Sequence, residues 1–368
     1  MKISSIGILL LFLFSFIECR SQGGIALPYL VAPPDARFSG MGEAGTAVAD
    51  DINATFWNSG GLAFLRETVI PKSQFLGITK DITTSYFEGT VSISLPYYKN
   101  SSKTYLNISA GIYLENLSGT LAFDYTYENL GEMFRTADNG QILGKYIAGE
   151  YCFGMAYGFL LNDDLGVGVK AKYFNSPIAP SSYDHNNPFE GDGFAFDLGL
   201  LWNPDLTLDS NSILGSKCFS VGISLNNLGS RFNYIKELEF LPTTLRLGIA
   251  LKIKYLSEHE LTIAIDGTKY LIKRDSIGSD PLPKSLISSW QGPLNICLGL
   301  GAEYWYKKSL AIRAGFYSEP EALGNRFLIT CGASVRIFII QADISYRSSS
   351  ELTKYLSNRL SFTLRIGG

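Results

Sequence analysis

The stretch TLRLGIALKIKY, residues 244–255, alternates without a break. Leu245, Leu247, Ile249, Leu251, Ile253 and Tyr255 oppose Thr244, Arg246, Gly248, Ala250, Lys252 and Lys254. Successive side chains of a β-strand point to opposite faces, so this pattern sets one wholly apolar face against a polar one. GFAFDLGLLW (193–202) divides the same way apart from Leu201, and CFSVGISLN and RLSFTLRI repeat the pattern. The outer face of a soluble sandwich would be heavily charged. Here the polar face is mostly Gly, Ala, Ser and Thr with scattered charges, as expected where side chains crowd inside a closed wall and the apolar face meets lipid. Tyr97, Tyr173, Trp202, Tyr255 and Tyr346 end apolar series, as interfacial aromatic girdles do.

Fourteen such segments are expected: 68–79, 84–96, 103–125, 146–161, 165–176, 192–203, 217–228, 243–255, 259–271, 293–307, 309–318, 326–337, 339–348 and 357–366. An even number is what single-chain outer-membrane barrels use, with short periplasmic turns and longer outside loops. The links after segments 4, 8, 10 and 12 are tiny, and those after 3, 5, 7, 9, 11 and 13 are longer, which puts both termini on the periplasmic side. Links 80–83 and 204–216 break the parity. The expected fold is therefore an all-β membrane protein, a 14-stranded antiparallel transmembrane β-barrel over 68–368 with a short N-terminal helical plug over 22–67.

Residues 1–21 join Lys2 to the apolar run IGILLLFLFSFI and end on Cys19 and Ser21, which reads as a secretory signal peptide and an exported chain. The run is shorter than the ~20 residues a bilayer helix needs. Cys152, Cys218, Cys297 and Cys331 are well separated and lack C-x-x-C spacing, so neither zinc nor any other metal site is expected. With 13% aromatic and 18% charged residues, and a net charge of -3, the chain offers no basic field for nucleic acid.

The segment FSGMGEAGTAVADDINATFWNSGG (38–61) places Gly40, Gly42 and Gly45 in G-x-G-x-x-G spacing, with Glu67 where a dinucleotide fold has its ribose ligand. That fold needs a buried strand before the first glycine. Pro28, Pro33 and Pro34 exclude one, and no cofactor is expected. Residues 44–57 are expected as a helix with Val48, Ile52 and Phe56 on one stripe, stopped by Asn58, Gly60 and Gly61. Packed inside the lumen, its glycines would approach the wall closely.

PYLVAPPDARFSGMGEAGTAVADDINATFWNSGGLAFL resembles the N-terminal signature of the PorV family of type IX secretion, itself related to the FadL-like fatty-acid channels. Where the FadL-like pattern has Asn-Pro-Ala-Gly-Leu, this chain has Asn58, Ser59, Gly60, Gly61 and Leu62. The resemblance marks Gly40, Met41, Gly42, Gly45, Asp50, Asp51, Trp57 and Asn58 as the plug segment. It implies an outer-membrane protein that binds secreted cargo by its C-terminal signal domain. The cargo would pass from the translocon to surface attachment proteins, and outer-membrane lipid would surround the barrel.

The alternation places Glu88, Glu115, Lys170, Lys172, Asp197, Arg246, Lys252, Asp266, Glu303, Arg313, Arg336, Asp343, Arg359 and Arg365 on the inner face. They are expected to pair across strands and to hold the plug through Asp50 and Asp51. Opposite signs argue against an ion-selective pore. His185 and His259 lie apart, without a nearby serine motif, so no catalysis is expected. The outside stretches 128–146 and 274–292 carry apolar residues, Trp290 among them, that suit a protein contact or a lid. The alternative function is a FadL-like channel for hydrophobic small molecules. It would need an apolar track through the lumen, and the inner face offers only Trp305, Tyr113, Tyr317 and Leu328.

Overall fold

The computed structural model describes residues 27–70, 82–96, 103–137, 139–179, 189–204, 217–229, 232–234, 237–256, 258–272, 274–275, 278–291, 293–349 and 358–368. The leader and His185 lie outside them. Fourteen strands form one closed antiparallel barrel. They are β1 (Phe87–Pro96), β2 (Thr104–Leu114), β3 (Gly119–Thr136), β4 (Ile142–Asn162), β5 (Leu165–Ala179), β6 (Phe189–Trp202) and β7 (Lys217–Gly229). The circuit continues through β8 (Thr244–Tyr255), β9 (His259–Tyr270), β10 (Ile296–Tyr306), β11 (Leu310–Ser318), β12 (Phe327–Ile337), β13 (Ile340–Ser349) and β14 (Arg359–Gly367). Pairing of β14 with β1, from Arg359 opposite Pro96 to Gly367 opposite Glu88, closes the wall. No helix among the described residues is long and apolar enough to cross a membrane.

Period two governs each strand. In β14, Ser361, Thr363 and Arg365 are buried inside, whereas Phe362, Leu364 and Ile366 are exposed outside. In β8, Leu247 and Ile249 face out and Arg246 faces in. An apolar outer surface with a polar interior inverts the soluble arrangement and matches a lipid solvent.

The strand count agrees with the sequence pattern, but two of the segments behind it differ. Glu67–Ile70 pairs with Ile82–Ser85 in a separate two-stranded sheet, so the first expected segment is no wall strand and the barrel begins at Phe87. Expected segment 103–125 is two strands joined by a one-turn 3-10 helix, Glu115–Leu117, with Ser118 left-handed at φ 52°. Glu115 is consequently an exposed turn residue bonded to Ser85, not a lumen charge. The corrected register removes 80–83 from the list of links. Only 203–216 still breaks the alternation of short and long connections. By that alternation, 115–118, 163–164, 256–258, 307–309 and 338–339 lie at the periplasmic rim.

Two further expectations change. Residues 128–146 are not a loop: β3 and β4 run on to Thr136 and from Ile142. A spanning strand needs about 9–11 residues, so the 21 residues of β4 carry this hairpin well beyond the membrane. There Phe134, Ile142, Leu143 and Ile147 are exposed. Residues 44–57 are not one helix either: only Ala54–Trp57 is α-helical, and Ala49, inside the expected span, takes a positive φ that interrupts the run. Cys152, Cys218, Cys297 and Cys331 are all free.

Residues 27–66 occupy the lumen and are almost wholly buried. Inner-face glycines form beds for them. Gly158, Gly168 and Gly199 are successive cross-strand neighbours on β4, β5 and β6, and the 3-10 helix Ser59–Phe64 lies on them. A Cβ on Gly168 would stand 2.1 Å from the Ser59 carbonyl carbon, whereas one on Gly89 meets nothing within 4 Å. Gly168→Val should therefore cost about 1–3 kcal/mol by overpacking and should expose the N-terminal segment to limited proteolysis. Gly89→Val should leave both the proteolysis pattern and the heat-modifiable gel mobility of the barrel unchanged.

Candidate functional site: the filled lumen

The chain enters the lumen near its extracellular end. Tyr29 donates to the carbonyl of Tyr151 at 2.9 Å, and Tyr105 donates to that of Ala32 at 3.3 Å. The first described residues thus lie opposite the periplasmic side expected for the N-terminus. Asp35 then caps the short helix α1 (Ala36–Ser39) by accepting the Phe38 amide at 2.8 Å, and its other oxygen accepts Trp57 Nε1 at 3.2 Å. One carboxylate so ties the start of the segment to its second helix, α2 (Ala54–Trp57). Asn58 ends α2 through its amide and begins the 3-10 helix by accepting the Gly60 amide at 3.0 Å. Its side-chain nitrogen donates to the carbonyls of Thr46 and Leu200.

The glycine run is occupied by protein. Gly42 sits at φ 61°, and a Cβ there would meet the carbonyl oxygens of Leu300 and Phe316 at 2.4 Å. Thr330 Oγ1 accepts the Gly42 amide at 3.0 Å and donates to the Gly40 carbonyl at 2.9 Å. A Cβ on Gly45 would strike the Trp57 ring at 2.5 Å. The Gly45 and Thr46 amides, which a phosphate would need, both donate to Asp266 Oδ2, at 3.0 and 2.8 Å. Met41 is fully buried beside Phe38 and Trp57.

Toward the periplasmic end the segment presents Arg37, Asp50 and Asp51 to the wall. Arg37 binds Asp50 at 2.6 Å, Asp51 at 2.7 Å, and Glu303 of β10 through two nitrogens at 3.0 and 2.7 Å. Asp50 continues to Lys252 of β8 at 2.6 Å, and Asp51 to Arg365 of β14 at 2.7 Å. Glu303 is shared with Arg313, which reaches Asp343, and Arg365 also faces Glu88 at 3.2 Å. Charges taken out of water are tolerable only when paired and hydrogen-bonded, and here Arg37, Asp50 and Asp51 tie the segment to β10, β8 and β14 respectively. Arg246 stacks over Phe56 and Trp57, 5.1 and 4.9 Å from their ring centroids.

Arg246, Lys252, Asp266, Glu303 and Arg365 thus converge on the segment. Asp197 lies off it, paired with Lys172 at 2.7 Å. Arg336 packs over Trp305 and donates to Gln341 at 2.8 Å, and Arg359 faces Glu128 at 3.4 Å near the extracellular end. Sequence reasoning missed Arg37 and Asp35 as site residues. Both stand in the PDAR signature, but their partners lie up to 266 residues away. A cavity of about 190 Å³ opens beneath the segment, with Glu88, Trp305, Arg336 and Arg365 in its walls. Cavities of about 150 and 200 Å³ lie above it, both touching Pro28, Glu128 and Arg359. The upper and lower spaces share no lining residue.

Arg37→Gln leaves Asp50, Asp51 and Glu303 short of their common partner and should cost about 3–5 kcal/mol, the usual consequence of breaking a buried ion pair. Thermal unfolding in detergent reads this loss. Lys254→Gln, at a half-exposed rim pair, should lie within about 0.5 kcal/mol of the parent.

A family model for "Type IX secretion system protein PorV" matches residues 20–276. A search of the curated proteins found no match. Among solved structures, the CymD monoaromatic hydrocarbon channel aligns with TM-score 0.52 at 11% identity, over 94% of this chain and 98% of its own. A deltaS2S3 mutant of the TodX monoaromatic hydrocarbon channel aligns with TM-score 0.50 at 10% identity, over 90% and 96%. The toluene transporter TodX of Pseudomonas putida gives 0.48 at 11%, over 90% and 96%. The likenesses to CymD and to the TodX mutant show the fold of a channel-type β-barrel, and the family match over more than half of the chain makes this protein a member of the PorV family of type IX secretion, an outer-membrane β-barrel.

Proposed function

We propose that this protein binds the C-terminal signal domains of secreted cargo at its extracellular face and shuttles them from the translocon to the surface attachment complex. It acts as a carrier whose own barrel is closed, after residues 1–21 are removed as a signal peptide. The observation that carries the reading is the filled lumen: residues 27–66 lie in it, bedded on wall glycines and held by the Arg37 network, as the core of a plug that we assign to 22–67. Cargo then has no path through the protein and must be held outside it. The extended β3–β4 hairpin, with Phe134, Ile142, Leu143 and Ile147 exposed beyond the membrane, offers apolar contact on that side.

The alternative, a channel for hydrophobic small molecules, lacks an apolar track among the described residues, since the cavities at both ends are walled with charge. No catalytic role is proposed. His259 Nδ1 pairs with the Tyr304 hydroxyl at 2.6 Å.

A deletion strain separates the two functions. Loss of the gene should keep secreted cargo from reaching the cell surface while uptake of a monoaromatic hydrocarbon stays at the parental rate. Normal surface display with reduced uptake would overturn the proposal. In planar bilayers the intact protein should conduct little, and Arg37→Gln should raise the conductance by loosening the plug.

A further inference from the structure

One of the two upper cavities is bounded by an unusual pair, and the other reaches one member of it. Arg347 on β13 and Arg359 on β14 are direct cross-strand partners, and both line the extracellular side of the lumen. Directly opposed side chains of an antiparallel pair stand about 4.5–5.5 Å apart at Cβ, where like charges repel. Nothing in the wall relieves that repulsion fully. A guanidinium has five N–H donors, yet Arg347, only 7% exposed, commits Nη1 to Glu43 at 2.9 Å and leaves Nε without a partner. Arg359 reaches Glu128 at 3.4 Å. The neighbouring Arg326, by contrast, is held through two nitrogens by Glu319, and Arg37 below engages three carboxylates.

We propose that Arg347 and Arg359 form a binding site for a carboxylate carried by an extended peptide that enters the extracellular mouth. Two guanidinium forks side by side suit a planar carboxylate, which accepts two parallel N–H bonds. Charge favours a monoanion over a phosphate dianion. Arg347 and Arg359 each already face one carboxylate, Glu43 and Glu128, and Glu150 stands opposite Glu128 on β4, so a second negative charge on the ligand would meet carboxylates rather than cations. The walls also include Pro28, Tyr29, Val31, Pro33 and Tyr105, which offer flat surfaces against which peptide side chains pack. At about 150 and 200 Å³ the cavities admit a few side chains and exclude a folded domain. This site rests on the cargo-binding reading and would receive a short part of the cargo chain.

The test uses the full-length protein in detergent and measures binding of N-acetyl-trialanine with a free carboxylate, its C-terminal amide, and phenyl phosphate by saturation-transfer NMR. The free acid should bind at least tenfold more tightly than the amide or the phosphate. Arg359→Gln and Arg347→Gln should each weaken the acid tenfold or more. Lys307→Gln, in a periplasmic turn, should leave binding unchanged. Heat-modifiable gel mobility shows that each variant is folded, and Arg359→Gln, which leaves the Glu43 contact of the plug intact, decides the matter if Arg347→Gln is not. Equal binding of acid and amide, preference for the phosphate, or an equal loss in Lys307→Gln would overturn the site. If the peptide acid fails to bind while the deletion strain still loses cargo display, the carboxylate site falls and the carrier function stands.

Discussion

Hydrocarbon offers no partner to a backbone N–H or C=O, so a chain that crosses it in strands must close its sheet on itself. Everything else in this protein follows from that closure. Fourteen strands, joined where β14 meets β1, enclose a space wider than their own inward side chains fill. The N-terminal segment supplies the missing volume, and it does so with backbone as much as with side chains. Wherever it crosses the wall, glycines stand opposite it: Gly158, Gly168 and Gly199 under the 3-10 helix, Gly301 and Gly315 under Met41 and Gly42, Gly222 and Gly248 under Thr46.

Close packing alone would seat the segment without fixing its register. The polar contacts do that. Asp266 receives the Gly45 and Thr46 amides, Thr330 grips Gly40 and Gly42, and Arg37 gathers carboxylates from the segment and from β10. Buried ion pairs are poor sources of net stability but costly to break. A plug held in this way resists displacement more than it contributes to the stability of the barrel. The two ends of the lumen differ accordingly: toward the periplasmic end Arg37, Arg313 and Arg365 each share two or more carboxylates, whereas above the plug Arg347 and Arg359 stand side by side with one apiece.

The alternation of residues 244–255 announces the barrel because the strand period depends only on local geometry. The total of fourteen strands also emerged, although through a compensation. One arm of a hairpin outside the wall reads as a strand, and the tight turn at Glu115–Ser118 is hidden inside a run whose alternation barely falters. Gly40, Gly42 and Gly45 match a phosphate-binding spacing, yet their amides and Cα atoms face protein, and in the chain itself the prolines upstream and the period-two strands downstream argue against the motif. Asp50 and Asp51 stood out as a charged pair in an otherwise small-residue stretch. Arg37, their partner, looked like an ordinary polar residue after two prolines, because its meaning lies in Glu303.

The sequence by itself determined the solvent of each strand face, the antiparallel wall and the family signature, since periodicity and short motifs are local properties of the chain. Only the tertiary structure decided which glycines bed the plug, which charges share a partner, and that Arg347 and Arg359 stand face to face. Those depend on the register between distant strands. A shift of one residue along any strand would turn its inward side chains to lipid.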